Sequence, residues 1–457
     1  MAAHLPEVSV ADALARQIAG LDVAHLPPAV RAKCEELLID VWGLCLTARN
    51  EDYVKATLAA CDDDGPCTAV GHVRTLSAAA AALVNGTAIH GEDFDDTFEG
   101  GPVHAGTAIV PAVLAACERH NQDGKSALLG IAVGVEVMCR LGLVTPKLVH
   151  KAGFHPTAVF GAMAAAAGVA AALKLTERQI VDALGIAGSM ASGIIEYLAE
   201  GAWTKRMHGG WAAQSGIRAA LMAREGFNGP RTVFEGTHGF FHGFANTTEG
   251  KYELLTGGFG KKWVSETLAF KLYPCGTMTH PYIDCARRLK VRGVRADDVK
   301  EMICEVGEGT VHRLWDPLAD KQRPQNGYGA KFSTPYCIAA GFVRGNVGLD
   351  SFTDAAVKDP AVLAVAGKVR YVIDPNNPYP DNFTGHIRAV MKDGSVIEER
   401  QPHMRGGAHE PLTRRDIEEK FVLCCRHGGW DDGRIATALK LANTLYSERV
   451  DLTVLRG

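Results

Sequence analysis

Residues 157–173 read TAVFGAMAAAAGVAAAL, a run in which every position except Thr157 is alanine, glycine or a larger apolar residue. Alanine is the best helix former, and the larger side chains recur at three- and four-residue spacing, so the stretch predicts a helix. Read as the longest apolar run of the chain, at 17 residues it falls short of the ~20 strongly apolar residues of a membrane-spanning helix. Its small side chains suit a helix buried on several sides in a tightly packed bundle. The same texture extends outward in both directions, through Ala78–Ile89, Thr107–Cys117, Ala127–Leu141 and Ile180–Leu198. Thr176-Glu177-Arg178-Gln179 reads as a capping box opening the last of these. From about residue 8 to 262 the pattern is helical almost throughout.

After Trp263 the texture changes. Glu301–Val306 and Val369–Ile373 read as strands, and Ile387–Val390 with Val396–Glu399 as a hairpin turning at Lys392-Asp393-Gly394. Polar loops cover Asp316–Gly329 and Asp374–Asn382, with a helix expected at Phe332–Val343. Helical character returns at Thr413, pauses at Gly428 and resumes over Arg434–Glu448. The expectation is a mainly α protein. A large all-helical domain would form from both chain ends, residues 1–264 and 401–457, with a smaller α+β lid domain inserted at 265–400. A cleft between two such lobes is a common place for a small-molecule site.

With 457 residues the chain has room for two or three domains, and its 47% hydrophobic and 22% charged residues are those of a globular protein with a real core. A net charge of −4 offers no footprint for nucleic acid or an anionic membrane. The opening MAAHLPEVSVADALARQIAGLD has neither a basic start nor a continuous apolar stretch, so no targeting peptide is expected. None of the 12 cysteines forms a CxxC pair, and most sit in apolar runs, which reads as buried reduced thiols and a cytoplasmic protein.

Four clusters stand out for chemistry. The first runs from Asn85 to Thr97, NGTAIHGEDFDDT, followed by His104-Ala105-Gly106. Four acids in five residues at an apolar helix end must be hydrated, paired or functional. If the segment stays helical, Asp93 and Thr97 share one face and Glu92 and Asp96 another. It reads either as a solvated helix terminus or, less readily, as a metal site using His90, Asp93, Asp96 and His104, although no recognised ligand spacing is present. The second is Gly153-Phe154-His155-Pro156-Thr157, where His155 is either structural or meets an anion at a helix N-terminus. The third is Thr204-Lys205-Arg206-Met207-His208-Gly209-Gly210, a basic run before a small-residue helix that is either solvated surface or a carboxylate site. The fourth, Lys271-Leu272-Tyr273-Pro274-Cys275-Gly276-Thr277-Met278-Thr279-His280, lies at the expected domain junction.

In this order, and together with Ala330-Lys331-Phe332-Ser333 and Pro411-Leu412-Thr413 ahead of Lys420-Phe421, these clusters resemble the MmgE/PrpD family over nearly the whole chain. The resemblance implies a helical domain built from both termini, a smaller α+β lid and a homodimer. It implies cofactor-independent enzymes such as 2-methylcitrate dehydratases, cis-aconitate decarboxylases and an iminodisuccinate epimerase, with no metal, flavin or nicotinamide. It carries a catalytic role onto Asp93, Thr97, His104, His155 and Lys205, and onto Lys271 as well. The expected substrate is a small carboxylate that gains or loses a proton beside a carboxyl group. Lys205, Arg206, His208, Lys271 and His280 would contribute to holding it and to spreading the developing charge. His104 or His155 would move the proton. Asp93 would fix a histidine tautomer or, if burial raised its pKa, act as base, and Thr97 would be an orienting hydroxyl.

One departure bears on the reaction. In the family that these clusters resemble, both the dehydratase and the decarboxylase branches place a histidine just after the Phe/Tyr-Pro turn, the decarboxylases where this chain has Gly276. His280 lies about one helical turn further on, ~5.4 Å away, unless a different backbone path brings it back. The departure argues against decarboxylation of cis-aconitate and leaves dehydration of 2-methylcitrate without support unless His280 substitutes. The order of readings is a dehydratase-like lyase on a di- or tricarboxylate, then an epimerase of an amino- or imino-dicarboxylate, then a non-catalytic carboxylate-binding protein.

Overall fold

The computed structural model describes residues 6–457; the first five residues of the N-terminal stretch read for a targeting signal lie outside it. The described residues are mainly helical, with twelve helices of ten or more residues. These are α1 (Val10–Ala19), α2 (Pro28–Ala48), α3 (Ala78–Gly91), α4 (Ala105–His120), α5 (Gly124–Val144) and α6 (Pro156–Ala172). They continue with α7 (Glu177–Met190), α8 (Thr204–Arg224), α9 (His280–Val291), α10 (Thr334–Arg344), α11 (Arg414–His427) and α12 (Asp432–Thr444). Strands β1 (Asp64–Thr68) and β2 (Thr75–Leu76) form a small antiparallel pair. Strands β3 (Val299–Val306), β4 (Val369–Ile373), β5 (Gly385–Met391) and β6 (Val396–Gln401) form one sheet in the order β4-β3-β5-β6, with only the β3–β4 pair parallel.

Helix α6, the alanine run, is buried from Thr157 to Ala172 and packs against α4, α5, α7 and α8. A helix apolar around its whole circumference has no other stable place. Helices α3 and α8 cross at a pair of glycines. A Cβ on Gly86 would stand 2.5 Å from the Gly210 Cα, and one on Gly210 would overlap the Leu83 carbonyl oxygen. This close crossing sets the first turn of α8, with Lys205, against the C-terminal end of α3.

Two hydrophobic cores result. One draws on residues between Ala11 and Phe270 and between Ile417 and Leu455. The other draws on residues between Tyr273 and Met391, with α9 and α10 packed together and α9 against β5 and β6. The expected hairpin is present, turning at Asp393 and Gly394, with the Met391 N–H donating to the Ser395 carbonyl at 2.8 Å. The capping boxes at Thr176 and Thr413 are both formed.

Four expectations need correction. The near-continuous helical pattern before residue 262 is broken by β1 and β2, because Asp62-Asp63-Asp64-Gly65-Pro66 cannot carry a helix forward. Helix α7 stops at Met190 rather than Leu198: Gly193 takes φ +131 and its carbonyl accepts the His155 N–H at 2.9 Å. The polar stretch 316–329 contains two short helices, Leu318–Gln322 and Gly327–Ala330. Finally, α5 exceeds the alanine run in length and is long and apolar enough to cross a membrane, yet it is almost wholly buried within this protein. Inside it Glu136 and Arg140 pair at 2.5 Å. Arg140 also donates to the carbonyls of Leu254, Gly257 and Lys262, and Glu136 accepts the N–H groups of Val264 and Ser265. The pair thereby pins the chain that leads to Lys271.

Candidate active site

The acidic segment after α3 is neither helical nor solvated. The helix ends at Gly91, where a Cβ would overlap the Tyr53 ring, and Asp93 adopts a left-handed φ of +54. The shared faces of Asp93 with Thr97 and Glu92 with Asp96 are therefore not realised. Instead each acid turns inward to its own partner. Glu92 meets the Lys331 ammonium at 2.9 Å and the Tyr53 hydroxyl at 3.0 Å. Asp93 Oδ1 meets Lys205 at 2.7 Å and Lys271 at 3.1 Å. Asp95 meets His90 Nδ1 at 2.6 Å. Asp96 accepts the N–H groups of Ala105 and Gly106 at 2.8 and 2.9 Å, which closes the exposed donors at the start of α4. Burial opposes charge on Asp93, but Lys205 and Lys271 outweigh it and hold the carboxyl well below the usual range. Burial likewise opposes the Lys205 charge, and Asp93 reverses the effect, keeping the ammonium firmly protonated.

His104 occupies the N-cap of α4, with Nδ1 2.6 Å from the Asp96 carbonyl oxygen. A carbonyl only accepts, so Nδ1 carries the hydrogen and Nε2 keeps a free lone pair. Burial pushes His104 down to about 3 despite the nearby Asp95, so the ring is a neutral base at pH 7. His155 is the N-cap of α6, and its Nδ1 lies 3.1 Å from His208 Nδ1. Burial and then His208 push His155 well down, and burial takes His208 to about 3. His90 stacks on His155 with ring centroids 5.5 Å apart, and burial lowers it too.

These four depressed imidazoles fix a sign for acid stability. Their folded values lie below the unfolded value of ~6.5, so as pH falls below ~6.5 the unfolded chain takes up protons that the folded chain refuses. Stability is then lost between about pH 6.5 and 3, at up to about 1.4 kcal/mol per histidine per pH unit. Urea unfolding at pH 7.5 and 5.5 should show a drop of several kcal/mol, and equal stabilities would mean that the histidines are not held neutral.

A cavity of about 390 Å³ lies between the two cores. From the side of the first core Asp93, His104, His155, Tyr197 and Lys205 line it, with Lys271 at the junction of the two. From the second come Gly276, Met278, Arg313, Phe332 and Tyr379. The remaining expected site residues stand behind this wall. Thr97 exchanges backbone hydrogen bonds with Ala269 at 2.9 and 2.8 Å, tethering the Asp93 loop to the Lys271 strand, and its hydroxyl is buried without a partner. Arg206 pairs with Glu92 at 3.5 Å and sits 4.2 Å from the centroids of both the Tyr53 and Tyr328 rings. His208 reaches the site through His155. His280 turns back on its own loop, with Nε2 3.3 Å from the Cys275 carbonyl, and does not replace a side chain at Gly276.

The basic run also lies within α8, in its first turns, rather than ahead of it. Asp93 neither orients a histidine nor has a raised pKa: the Asp96 carbonyl sets the His104 tautomer, and two lysines lower Asp93. Among the described residues no group of ligands is arranged for a metal ion. All 12 cysteines are free and buried, as expected. Sequence reasoning missed Asp95, Tyr197, Arg313 and Tyr379. Asp95 lay within the acidic motif and could have been weighed there. The other three follow irregular turns that no periodicity announces.

The MmgE/PrpD N-terminal domain matches residues 12–253 and the MmgE/PrpD C-terminal domain matches residues 273–441. The chain belongs to the MmgE/PrpD family. It is 28% identical over 433 residues to cis-aconitate decarboxylase of Mus musculus, covering 90% of this chain and 86% of that one. It is 27% identical over 423 residues to cis-aconitate decarboxylase of Aspergillus terreus, covering 87% and 85%. It is 23% identical over 394 residues to mitochondrial 2-methylcitrate dehydratase of Yarrowia lipolytica, covering 78% and 72%.

Proposed function

We propose that the protein is a lyase that abstracts a proton beside a carboxylate of a small di- or tricarboxylate and expels a leaving group, without an added cofactor. The observation that carries this reading is His104, a neutral imidazole with a free Nε2, opening on the same cavity as the Lys205 and Lys271 ammonium groups. His104 takes the proton. Negative charge then builds on the substrate carboxyl as an enolate, and the two ammonium groups meet it in a site already organised around Asp93. His155, neutral and hydrogen-bonded to His208, polarises the leaving group from another side, as a neutral imidazole donor can. The relatives above are named for decarboxylation and for dehydration; in the second the enolate pair expels a leaving group, whereas in the first departing carbon dioxide leaves its bonding pair on carbon as an enolate that is then protonated. Gly276 leaves the cavity wall without the histidine that both the dehydratase and the decarboxylase branches place just after the Tyr-Pro turn, and His280 does not supply it, so the substrate of this lyase is an acid other than cis-aconitate or 2-methylcitrate.

Because the cavity wall comes from both cores, residues 265–400 act as a lid over a body of residues 1–264 and 401–457. The body pairs with a second copy through α8. Trp203, Met207 and Trp211 are exposed and fall on one helix face at four-residue spacing. Met207→Glu should convert a dimer to a monomer in light scattering, and an unchanged mass would remove this face from the interface.

The test of the reaction is NMR in D₂O, with chelator present, against citrate, aconitate, methylcitrate and amino-dicarboxylates. An unsaturated product supports the lyase. Exchange of deuterium into substrate without net conversion would replace it with an epimerase, and neither change would leave a carboxylate-binding protein.

A further inference from the structure

The inner end of the cavity is electrically balanced. Lys205 and Lys271 both face Asp93, and Lys271 also lies 3.8 Å from Asp95. Two ammonium groups thus answer two buried carboxylates, while Arg206 is held by Glu92. A substrate with two or three carboxylates finds little net attraction there, although its reacting end is well placed.

The other end is not balanced. Arg313, Lys147 and Lys151 line it together with His150 and His312. Among the described residues none of these three cations has a carboxylate within ion-pairing distance. The Arg313 guanidinium donates to the Tyr379 hydroxyl at 3.0 Å and lies 3.4 Å from His150 Nε2, and its Nε is buried with no partner. Burial, Arg313 and His312 push His150 down to about 4, so that ring adds no charge at pH 7. The Lys147 ammonium stands 5.9 Å from the centroid of the Tyr379 ring, on a backbone with φ +68. Lys147 and His150 come from the chain just after α5, and Arg313 and Tyr379 from the other side of the cleft. An anion held here touches both halves.

We propose that this end of the cavity binds the distal carboxylate of the substrate, with Arg313 as the bidentate fork and Lys147 as the second charge, and that it restricts the protein to acids with at least two carboxylates. A planar guanidinium is the group best matched to a carboxylate, and each Arg313 Nη keeps a second N–H beyond the one directed at His150 or Tyr379. The inference rests on the reading of the cavity as a carboxylate site and adds which residues anchor the acid. It moves that task from Lys205, Arg206 and Lys271 to Arg313, in the one-turn helix Val311–Leu314, and Lys147, the N-cap of the one-turn helix Leu148–Lys151.

Calorimetric titration with propane-1,2,3-tricarboxylate, glutarate and butyrate tests it, since these acids carry no leaving group. Wild type should bind the tricarboxylate at least tenfold more tightly than butyrate. Arg313→Ala should erase that tenfold preference, Arg313→Lys should keep part of it, Lys147→Ala should reduce it, and His104→Ala should retain it. If Arg313→Lys and Lys147→Ala, melting like wild type, bind the tricarboxylate as tightly as wild type, the proposal is overturned. A wild-type protein that binds none of the three acids overturns it as well, and the lyase reading with it. Preference for the tricarboxylate that depends on Arg313, in a protein showing neither exchange nor turnover, supports the anchor while removing the lyase.

Discussion

His104→Ala is expected to lower kcat by about 10²–10⁴-fold, the scale of a general base, while affinity for propane-1,2,3-tricarboxylate stays within about threefold of wild type. The split follows from the geometry. Only Nδ1 of His104 is engaged by the protein, through the Asp96 carbonyl, and the ring contributes no fixed charge that would anchor an acid. Its free nitrogen matters once a proton is in flight, so its loss falls on the barrier and not on ground-state binding. Steady-state rates on whichever acid the NMR panel identifies would check this. A variant retaining more than a tenth of wild-type kcat would transfer the base to another residue, with His155 or Tyr197 next in line because both line the same cavity. Since His104 titrates far below neutrality when folded, the rate should also show no loss from its protonation between pH 8 and 6. A fall in kcat/KM centred near pH 6.5 would mean that the imidazole is solvated and ordinary.

The parts of this site legible in the sequence are those fixed by local chain chemistry. His155 before Pro156 marks a helix start, and the structure places it at the N-cap of α6. The alanine-rich segments had to be buried helices, and Gly86 and Gly210 mark where two of them touch. The acidic run after Gly91 is conspicuous, but its conformation is not a local property. Helical spacing pairs Asp93 with Thr97, whereas the chain leaves the helix at Gly91, whose missing side chain makes room for the Tyr53 ring, and Asp93 takes a left-handed φ. Which acid meets which cation is decided by contacts across more than a hundred residues, Lys205 to Asp93, Lys271 to Asp93 and Lys331 to Glu92. No periodicity encodes these. Arg206 shows the consequence: its neighbours in sequence favour a carboxylate-binding role, but Glu92 and two aromatic rings absorb it. Arg313, in a one-turn helix too short to show a period, and Tyr379, in a loop, are the opposite case, visible only once the fold brings them to one cavity.

Asp93→Ala should destabilise the protein by about 3–5 kcal/mol, because it leaves two buried ammonium groups facing each other without their shared carboxylate. Lys205 and Lys271 are both almost inaccessible to solvent, so neither can relax into water, and one of them must lose its proton or the loop must open. Adding Lys205→Met to Asp93→Ala should recover part of the loss, since it removes one of the stranded charges and leaves an apolar chain of similar length. A double-mutant cycle by urea unfolding would measure the coupling. The pH dependence separates this effect from that of the histidines. Asp93 has a lowered folded pKa, so its contribution is complete above ~4 and is lost only as pH falls through the still lower folded value. Lys205 has a raised folded pKa, so its contribution is complete below ~10.4 and is lost as pH rises through the higher folded value. Where a stranded lysine of Asp93→Ala goes neutral, its folded pKa lies below the unfolded ~10.4 and that variant loses stability as pH falls, so the difference from wild type should widen from pH 9 toward pH 5, on top of the acid-side loss that both proteins share through the histidine cluster. A difference that shrank toward pH 5 would show Asp93 already protonated there, which is incompatible with a carboxylate held between two lysines.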